Sequence, residues 1–331
     1  MICCVDNPDG SLAYVHSAGR VKNAHEKSRV ETLTETNFSS EWSDQRESFF
    51  HLFNGHIEDA YRGELEISLV DKFGHKLATA TYAPPNKPFS SKQVFISDVF
   101  DINAKELLDE DWFIKVKVSN PSIYTRLICG IYDKERGRYE LTHSFTETND
   151  NDFIESKDLD EGMKYLSQIL VPTGDDVSCK LRIFPTNNQS NVEYEIWKSS
   201  NDIVELEGTQ VVNVGKGGGT TWDYEDGGEN SIRSIKAIGE KTPTRVNTTY
   251  KFRIKGVSGE TDIALAQKAH NFPKRQFLWG HGFLGEKIDT KLLIWTSACQ
   301  GSNLIEEDAE LTVYFRDSEL KQKLPLSEFG C

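Results

Sequence analysis

Apolar and polar residues alternate in short runs along this chain, and one arrangement of runs comes back three times. Phe49, Phe50, His51, Leu52, Phe53 and Asn54 make a largely apolar run; after a polar connection, residues 64–71 alternate Glu64 and Glu66 with Leu65, Ile67 and Leu69. The pair returns as residues 179–185 followed by 192–197, and again as 291–296 followed by 309–317. A period of two marks a strand with one face buried and the other wet. Each pair therefore reads as an opening hairpin, two neighbouring strands joined by a polar loop.

Downstream of the first pair, residues 76–82, 93–99, 112–118, 123–132 and 138–145 are rich in β-branched and aromatic residues and bounded by turn formers. About seven short strands in about a hundred residues is the count and spacing of an immunoglobulin-like sandwich. The Cys-Trp-Cys framework of immunoglobulin domains does not accompany them, so the resemblance is to the architecture. In the second copy, residues 249–257 correspond to 112–119, and 261–268 to 124–132. Between the copies, Leu159, Met163, Leu166, Ile169 and Leu170 fall near helical spacing, with Asp158 as N-cap and Pro172 beyond the end.

The expected fold is all-β: tandem immunoglobulin-like β-sandwich units with one short linker helix and incomplete units at both ends. Its divisions are 1–45, an exit hairpin of a partial unit plus a polar linker; 46–150, the first sandwich; 151–176, the linker with the helix; 177–275, the second sandwich; and 276–331, the opening strands of a third unit. The amino-terminal assignment rests on a match. Leu127-Ile128-Cys129-Gly130-Ile131 followed by Gly137, Tyr139 and His143 has a counterpart in Met1-Ile2-Cys3-Cys4-Val5 followed by Gly10, Tyr14 and His16, with the same interval from Gly to His. Exposed strand edges attract further strands. Residues 1–17 and 291–317 are therefore expected to pair with each other, within one chain or head to tail between chains.

A chain of 331 residues accommodates two sandwiches with material left at both ends. Hydrophobic residues make up 37% and charged residues 27%, with a mean hydropathy of −0.52, which fits wet-surfaced domains and no transmembrane segment. The net charge of −14 repels phosphate backbones and anionic lipid, against nucleic-acid or membrane-surface binding. Of the six cysteines each complete unit holds only one, Cys129 and Cys179 at non-equivalent places, so a disulfide-rich scaffold is excluded and Cys129 is expected to be buried outside any disulfide. Extracellular or cell-surface placement is favoured over cytoplasmic.

No catalytic fingerprint is present, and His16 and His143 recur at equivalent places as strand-end hydrogen-bonding groups. Three arrangements invite a chemical reading. Asp223, Glu225, Asp226 and Glu229 gather hard oxygens on a glycine-rich stretch and suggest Ca2+, although the spacing is not that of an EF-hand and a solvated acidic turn is the plainer reading. Trp222, Trp279 and His281 could wall a ligand site, for which carbohydrate is the natural class because planar aromatics suit sugar faces. His281 with Glu286 or Asp289 could act as an acid-base pair in the same cleft. Against these, two units without a shared catalytic group point to a non-enzymatic repeat protein, a structural, adhesion or assembly element with a protein partner or self-association through its terminal strands.

Overall fold

The alternating runs become strands, and the two strands of each of the first two opening pairs lie in different sheets, while residues 291–296 of the third lie outside the described residues. The computed structural model describes residues 2–16, 19–21, 32–37, 40–54, 63–108, 111–119, 123–125, 127–146, 153–155, 168–172, 177–184, 190–200, 203–214, 218–224, 232–238, 241–243, 245–254, 260–268, 310–314 and 321–325. By contact the chain divides into residues 1–271 and 272–331. The protein is all-β, and among the described residues the helical pieces are a 3-10 turn, Ile96–Asp98, and α1, Ile102–Lys105, capped by Asp101. No helix there is long and apolar enough to cross a membrane.

The chain starts with β1 (Ile2–Asp6), β2 (Leu12–His16) and β3 (Gly19–Val21). Next come β4 (Thr32–Asn37), β5 (Arg46–Phe53), β6 (Leu65–Asp71), β7 (Lys76–Tyr82), β8 (Ser91–Phe95) and β9 (Trp112–Ser119). They are followed by β10 (Ile123–Thr125), β11 (Ile128–Asp133), β12 (Arg138–His143) and β13 (Phe145–Thr146). One antiparallel sheet runs β13-β4-β9-β6-β7 and a second runs β12-β11-β5-β8. Between them lies a core to which Phe50, Leu52, Val94 and Cys129 contribute from one sheet and Leu65, Ile67, Leu69, Ile114 and Val116 from the other. This explains why the opening pair is not a hairpin. A hairpin would turn the apolar faces of β5 and β6 the same way, whereas facing sheets bury each against the other.

A second set begins with β14 (Phe153–Glu155), β15 (Gln168–Pro172), β16 (Val177–Phe184), β17 (Ser190–Ser200), β18 (Ile203–Val214) and β19 (Thr220–Tyr224). It continues with β20 (Ile232–Ile238), β21 (Lys241–Pro243), β22 (Arg245–Ile254) and β23 (Glu260–Lys268). Its sheets run β15-β20-β17-β18 and β19-β16-β22-β23. The helical periodicity of residues 159–170 fails at its carboxyl end, where Ile169, Leu170 and Val171 pair with β20 as a strand. Sheet pairing overrides local spacing there; the rest of that expected helix lies outside the described residues.

Counting β4 to β9, β11 and β12 as the first to eighth strands of the first set, and β15 to β20, β22 and β23 as those of the second, the two sets have one order. In both, the first strand lies beside the sixth, the sixth beside the third, and the third beside the fourth; the other sheet runs fifth, second, seventh, eighth. By this order β20 matches β9, β22 matches β11 and β23 matches β12, which moves the expected correspondence of residues 249–268 on by one strand. Immunoglobulin domains share the second-to-fifth and third-to-sixth pairings but seat the first strand beside the second, so the strand order here differs from theirs at the margins.

Two connectors also repeat. β3, which follows β2, pairs with β10 between the sixth and seventh strands of the first set; β14, which follows β12 and β13, pairs with β21 between the sixth and seventh strands of the second. The terminal strands expected to pair with each other each take a local partner. β1 pairs with β2, and β24 (Glu310–Tyr314), in residues 272–331, pairs with β25 (Lys321–Pro325). The β1–β2 register sets Ile2 opposite His16, and the β11–β12 register sets Ile128 opposite His143, as the sequence match requires.

Candidate functional site

One candidate site lies at the junction of the two sets of sheets. The β6–β7 turn is fixed by Asp71, whose Oδ1 accepts hydrogen bonds from the backbone N–H of Phe73 at 2.9 Å and of His75 at 2.8 Å. Gly74 takes the positive φ of 92° that this reversal needs. The turn presents the carbonyl of Lys72, which accepts a hydrogen bond from the N–H of Gly219 at 2.9 Å. Asp111, just before β9, accepts a second hydrogen bond from Thr221 Oγ1 at 3.1 Å and lies 3.7 Å from Arg182 Nη2.

Lys72, Asp111, Phe113, Arg182, Gly219 and Thr220 line a shallow crevice there that encloses no room even for a water molecule. Small-molecule pockets begin near 300 Å³. The junction is thus an interface, at which, among the described residues, the Gly219–Lys72 backbone hydrogen bond lies beside the partly buried cluster of Asp111, Thr221 and Arg182.

The outer face of the β12-β11-β5-β8 sheet forms a second surface. Phe49, Ile128 and Leu141 are buried there beneath Ala13 and Val15 of β2, with Cys3 and Val5 of β1 packed alongside. The rings of Phe49 and Tyr139 meet edge to face at 5.6 Å, and those of Tyr132 and Tyr139 lie 4.6 Å apart. A sheet apolar on both faces must be covered twice, and the β1–β2 hairpin covers this one.

Charged side chains form a rim at one end of the first core. Arg46 donates to both carboxylate oxygens of Glu41 at 3.0 Å, and its Nη2 donates to Glu140 at 3.0 Å. Burial works against the guanidinium's charge, but Glu140 and then Glu41 outweigh it and raise the pKa. Burial likewise opposes ionisation of Glu47, yet hydrogen bonds from Lys134 and Ser97 hold its carboxyl below the ordinary range. Each of these acids is committed to a cation, which suits a structural rim better than proton transfer.

Of the residues singled out for a ligand or metal, Trp222 lies on β19 and is 7% exposed, its ring edge to face with that of Tyr194 at 5.7 Å. Asp223 sits in the same strand opposite Lys180. Trp279, His281, Glu225, Asp226, Glu229, Glu286 and Asp289 lie outside the described residues. Among the described residues no group of three or more His, Cys, Asp or Glu could hold a metal ion. His143 Nδ1 donates to the Ser144 carbonyl at 2.9 Å, the strand-end hydrogen bond expected of it. Cys129 is buried and outside any disulfide, its thiol 3.9 Å from the Leu127 carbonyl. Sequence reasoning missed Lys72 and Asp111. Their one signal was local, an Asp at the head of the turn containing Gly74.

No protein-family model matches the chain. No curated protein matches it in sequence. Among solved structures, an anti-sigma factor domain-containing protein is similar at 10% identity and a TM-score of 0.18, over 70% of this chain and 81% of that one. A Bacteroides uniformis β-glucuronidase matches at 9% identity and a TM-score of 0.14, and a putative β-galactosidase from Bacteroides fragilis at 11% and 0.15. The matches cover 72% and 77% of this chain but only 26% and 35% of theirs. At these scores the likeness ends at β-rich structure and carries no argument about activity.

Proposed function

We propose that this chain is a non-enzymatic tandem-repeat protein whose immunoglobulin-like β-sandwich units act as a structural, adhesion or assembly element. What supports this above all is the recurrence of the connection between units. A short strand beyond each eighth strand, β3 next after β2 and β14 after β12 and β13, pairs with the link between the sixth and seventh strands of the next unit, as β3 with β10 and β14 with β21. Successive last strands touch as well, β2 with β12 and β12 with β23. A connection that recurs in this way adds units head to tail, the geometry of an extended array. The β1–β2 hairpin takes the part of the seventh and eighth strands of a preceding unit.

Pulling single full-length chains tests the reading. The expected record shows two unfolding events of similar contour length, one for each eight-stranded unit. A single cooperative event spanning both would overturn it.

A further inference from the structure

The fourth strand of each unit ends its sheet, and the two are built alike. β7 pairs with β6 so that Leu69 faces Ala78 and Val70 faces Lys76, which leaves Leu77 as an extra residue. β18 pairs with β17 so that Ile196 faces Gly208 and Trp197 faces Leu206, which leaves Glu207 as the extra residue. Each fourth strand therefore carries a bulge in its first half. Bulges and inward-turned charges guard an open sheet edge against further strands. Glu207 is turned back in this way, its carboxylate accepting hydrogen bonds from Arg233 at 2.8 and 3.0 Å.

Beyond the bulges the guard stops. Residues 78–82 and 208–213 carry neither charge nor proline, and among the described residues no strand pairs with their outer edges. Val211 is 57% exposed, Thr79, Thr81 and Thr209 are exposed, and a Cβ built on Gly208 would meet nothing within 4 Å. An open, uncharged edge offers its backbone donors and acceptors to another strand.

The charges around the two edges select the partner. Between Asp71 and Asp98, a stretch that holds β7 and β8, the chain has four lysines and no acidic residue, although its net charge is −14. One of them, Lys92, places Nζ 5.5 Å from the centre of the Tyr82 ring at the end of β7. β17 and β18 together carry four glutamates and one lysine. Pairing like with like would bring together two surfaces of one sign, whereas β7 against β18 brings opposite signs together.

We propose that β7 of one copy of this chain pairs antiparallel with β18 of a second copy, Thr79 opposite Val211 and Thr81 opposite Thr209. In this register Tyr82 falls opposite Gly208, where a ring has open space, and the Lys92 end of one edge meets the Glu205 and Glu207 end of the other. An aromatic residue across from an edge glycine covers bare backbone. Each chain brings one strand of each kind, so the contact is heterologous and adds copies in an open series unless the rotation closes a ring. The inference rests on the assembly reading and deepens it by naming the partner.

Sedimentation velocity of the full chain from about 1 μM to about 1 mM covers the affinities of small interfaces. The wild type is expected to associate. Thr79→Lys with Val211→Lys in one chain sets like charges opposite each other and should weaken association about tenfold with Tm unchanged. Thr79→Glu with Val211→Lys sets opposite charges in the same register and should return association to wild-type strength. A wild type that stays monomeric throughout overturns the pairing, as does association that the like charges leave unchanged or that the opposite charges fail to rescue. Two equal unfolding events on pulling a chain that never associates would overturn the pairing and leave the tandem reading standing.

Discussion

Asn7 and Tyr139, 132 positions apart, are joined by two hydrogen bonds running in opposite directions: Asn7 Nδ2 donates to the Tyr139 carbonyl at 3.0 Å, and the Tyr139 N–H donates to Asn7 Oδ1 at 2.8 Å. β12 is an edge strand of its sheet, so its outward backbone groups lack a ladder partner. The Asn7 carboxamide supplies both halves of what a neighbouring strand would give. It thereby pins the β1–β2 turn to the sheet whose apolar outer face that hairpin covers.

Asn7→Ala should release that pin. Two partly buried hydrogen bonds are lost and two edge groups return to water, a cost of about 1–3 kcal/mol. Denaturant unfolding gives the loss, and thiol labelling of Cys3, half-buried on β1 of the hairpin, should quicken. Asn7→Asp keeps the acceptor alone and should fall between. Unchanged labelling in Asn7→Ala would mean that the hairpin is held by its apolar face and the clamp is incidental.

Gly130 has no room for a side chain. A Cβ there would come within 1.9 Å of the Glu140 carbonyl oxygen on β12 and 2.9 Å of the Phe49 ring. The backbone cannot yield without breaking the β11–β12 ladder, so Gly130→Ala should destabilise by about 3 kcal/mol or prevent folding. Thermal unfolding measures it, and a drop in Tm of under a degree would contradict the close approach.

Tyr194 carries its hydroxyl into the second core without a hydrogen-bond partner among the described residues. Burial raises its pKa, so the group stays protonated and neutral. Tyr194→Phe keeps the ring against Trp222 and removes the orphaned group, and should stabilise by about 1 kcal/mol. A loss of stability of that size would reveal a partner for the hydroxyl.

Acid should loosen the rim. The carboxyls of Glu47 and Asp133 are held below their ordinary range, burial being outweighed for Glu47 by hydrogen bonds from Lys134 and Ser97 and for Asp133 by those from Arg136. A depressed folded-state pKa gives stability that is complete above the unfolded carboxylate pKa, about 4, and is lost as pH falls through the folded value. Unfolding free energy should therefore drop below about pH 4, and less steeply in Glu47→Gln than in the wild type. Parallel pH profiles would exclude Glu47 from the linkage.

Strands were legible because alternation survives wherever one face is wet, as in Leu65, Ile67 and Leu69 against Glu66 and Ser68 on β6. Sheet membership was not legible, because the period of β5 and β6 is the same in a hairpin and in two facing sheets. The hairpin at residues 1–17 could be matched to β11–β12 because its Gly and His positions fix the register. Ile169 and Leu170 misled because apolar residues near helical spacing are equally compatible with a short strand. The junction was harder still. Lys72 contributes a carbonyl and Gly219 an N–H, groups that every residue carries, and only the fold brings them within 2.9 Å.

The recurring connection can be tested at both of its occurrences in one protein. Arg20 lies opposite Tyr124 in the β3–β10 pair, and Ile154 opposite Thr242 in the β14–β21 pair. Directly opposed residues in antiparallel strands stand about 5 Å apart at Cβ, close enough for a disulfide after slight adjustment. Two full-length variants, Arg20→Cys with Tyr124→Cys and Ile154→Cys with Thr242→Cys, would be oxidised while folded and their cross-linked peptides quantified by mass spectrometry. The tandem account predicts that both disulfides form, to similar extents, with Tm preserved or raised. A cross-link at one connection and none at the other would contradict it.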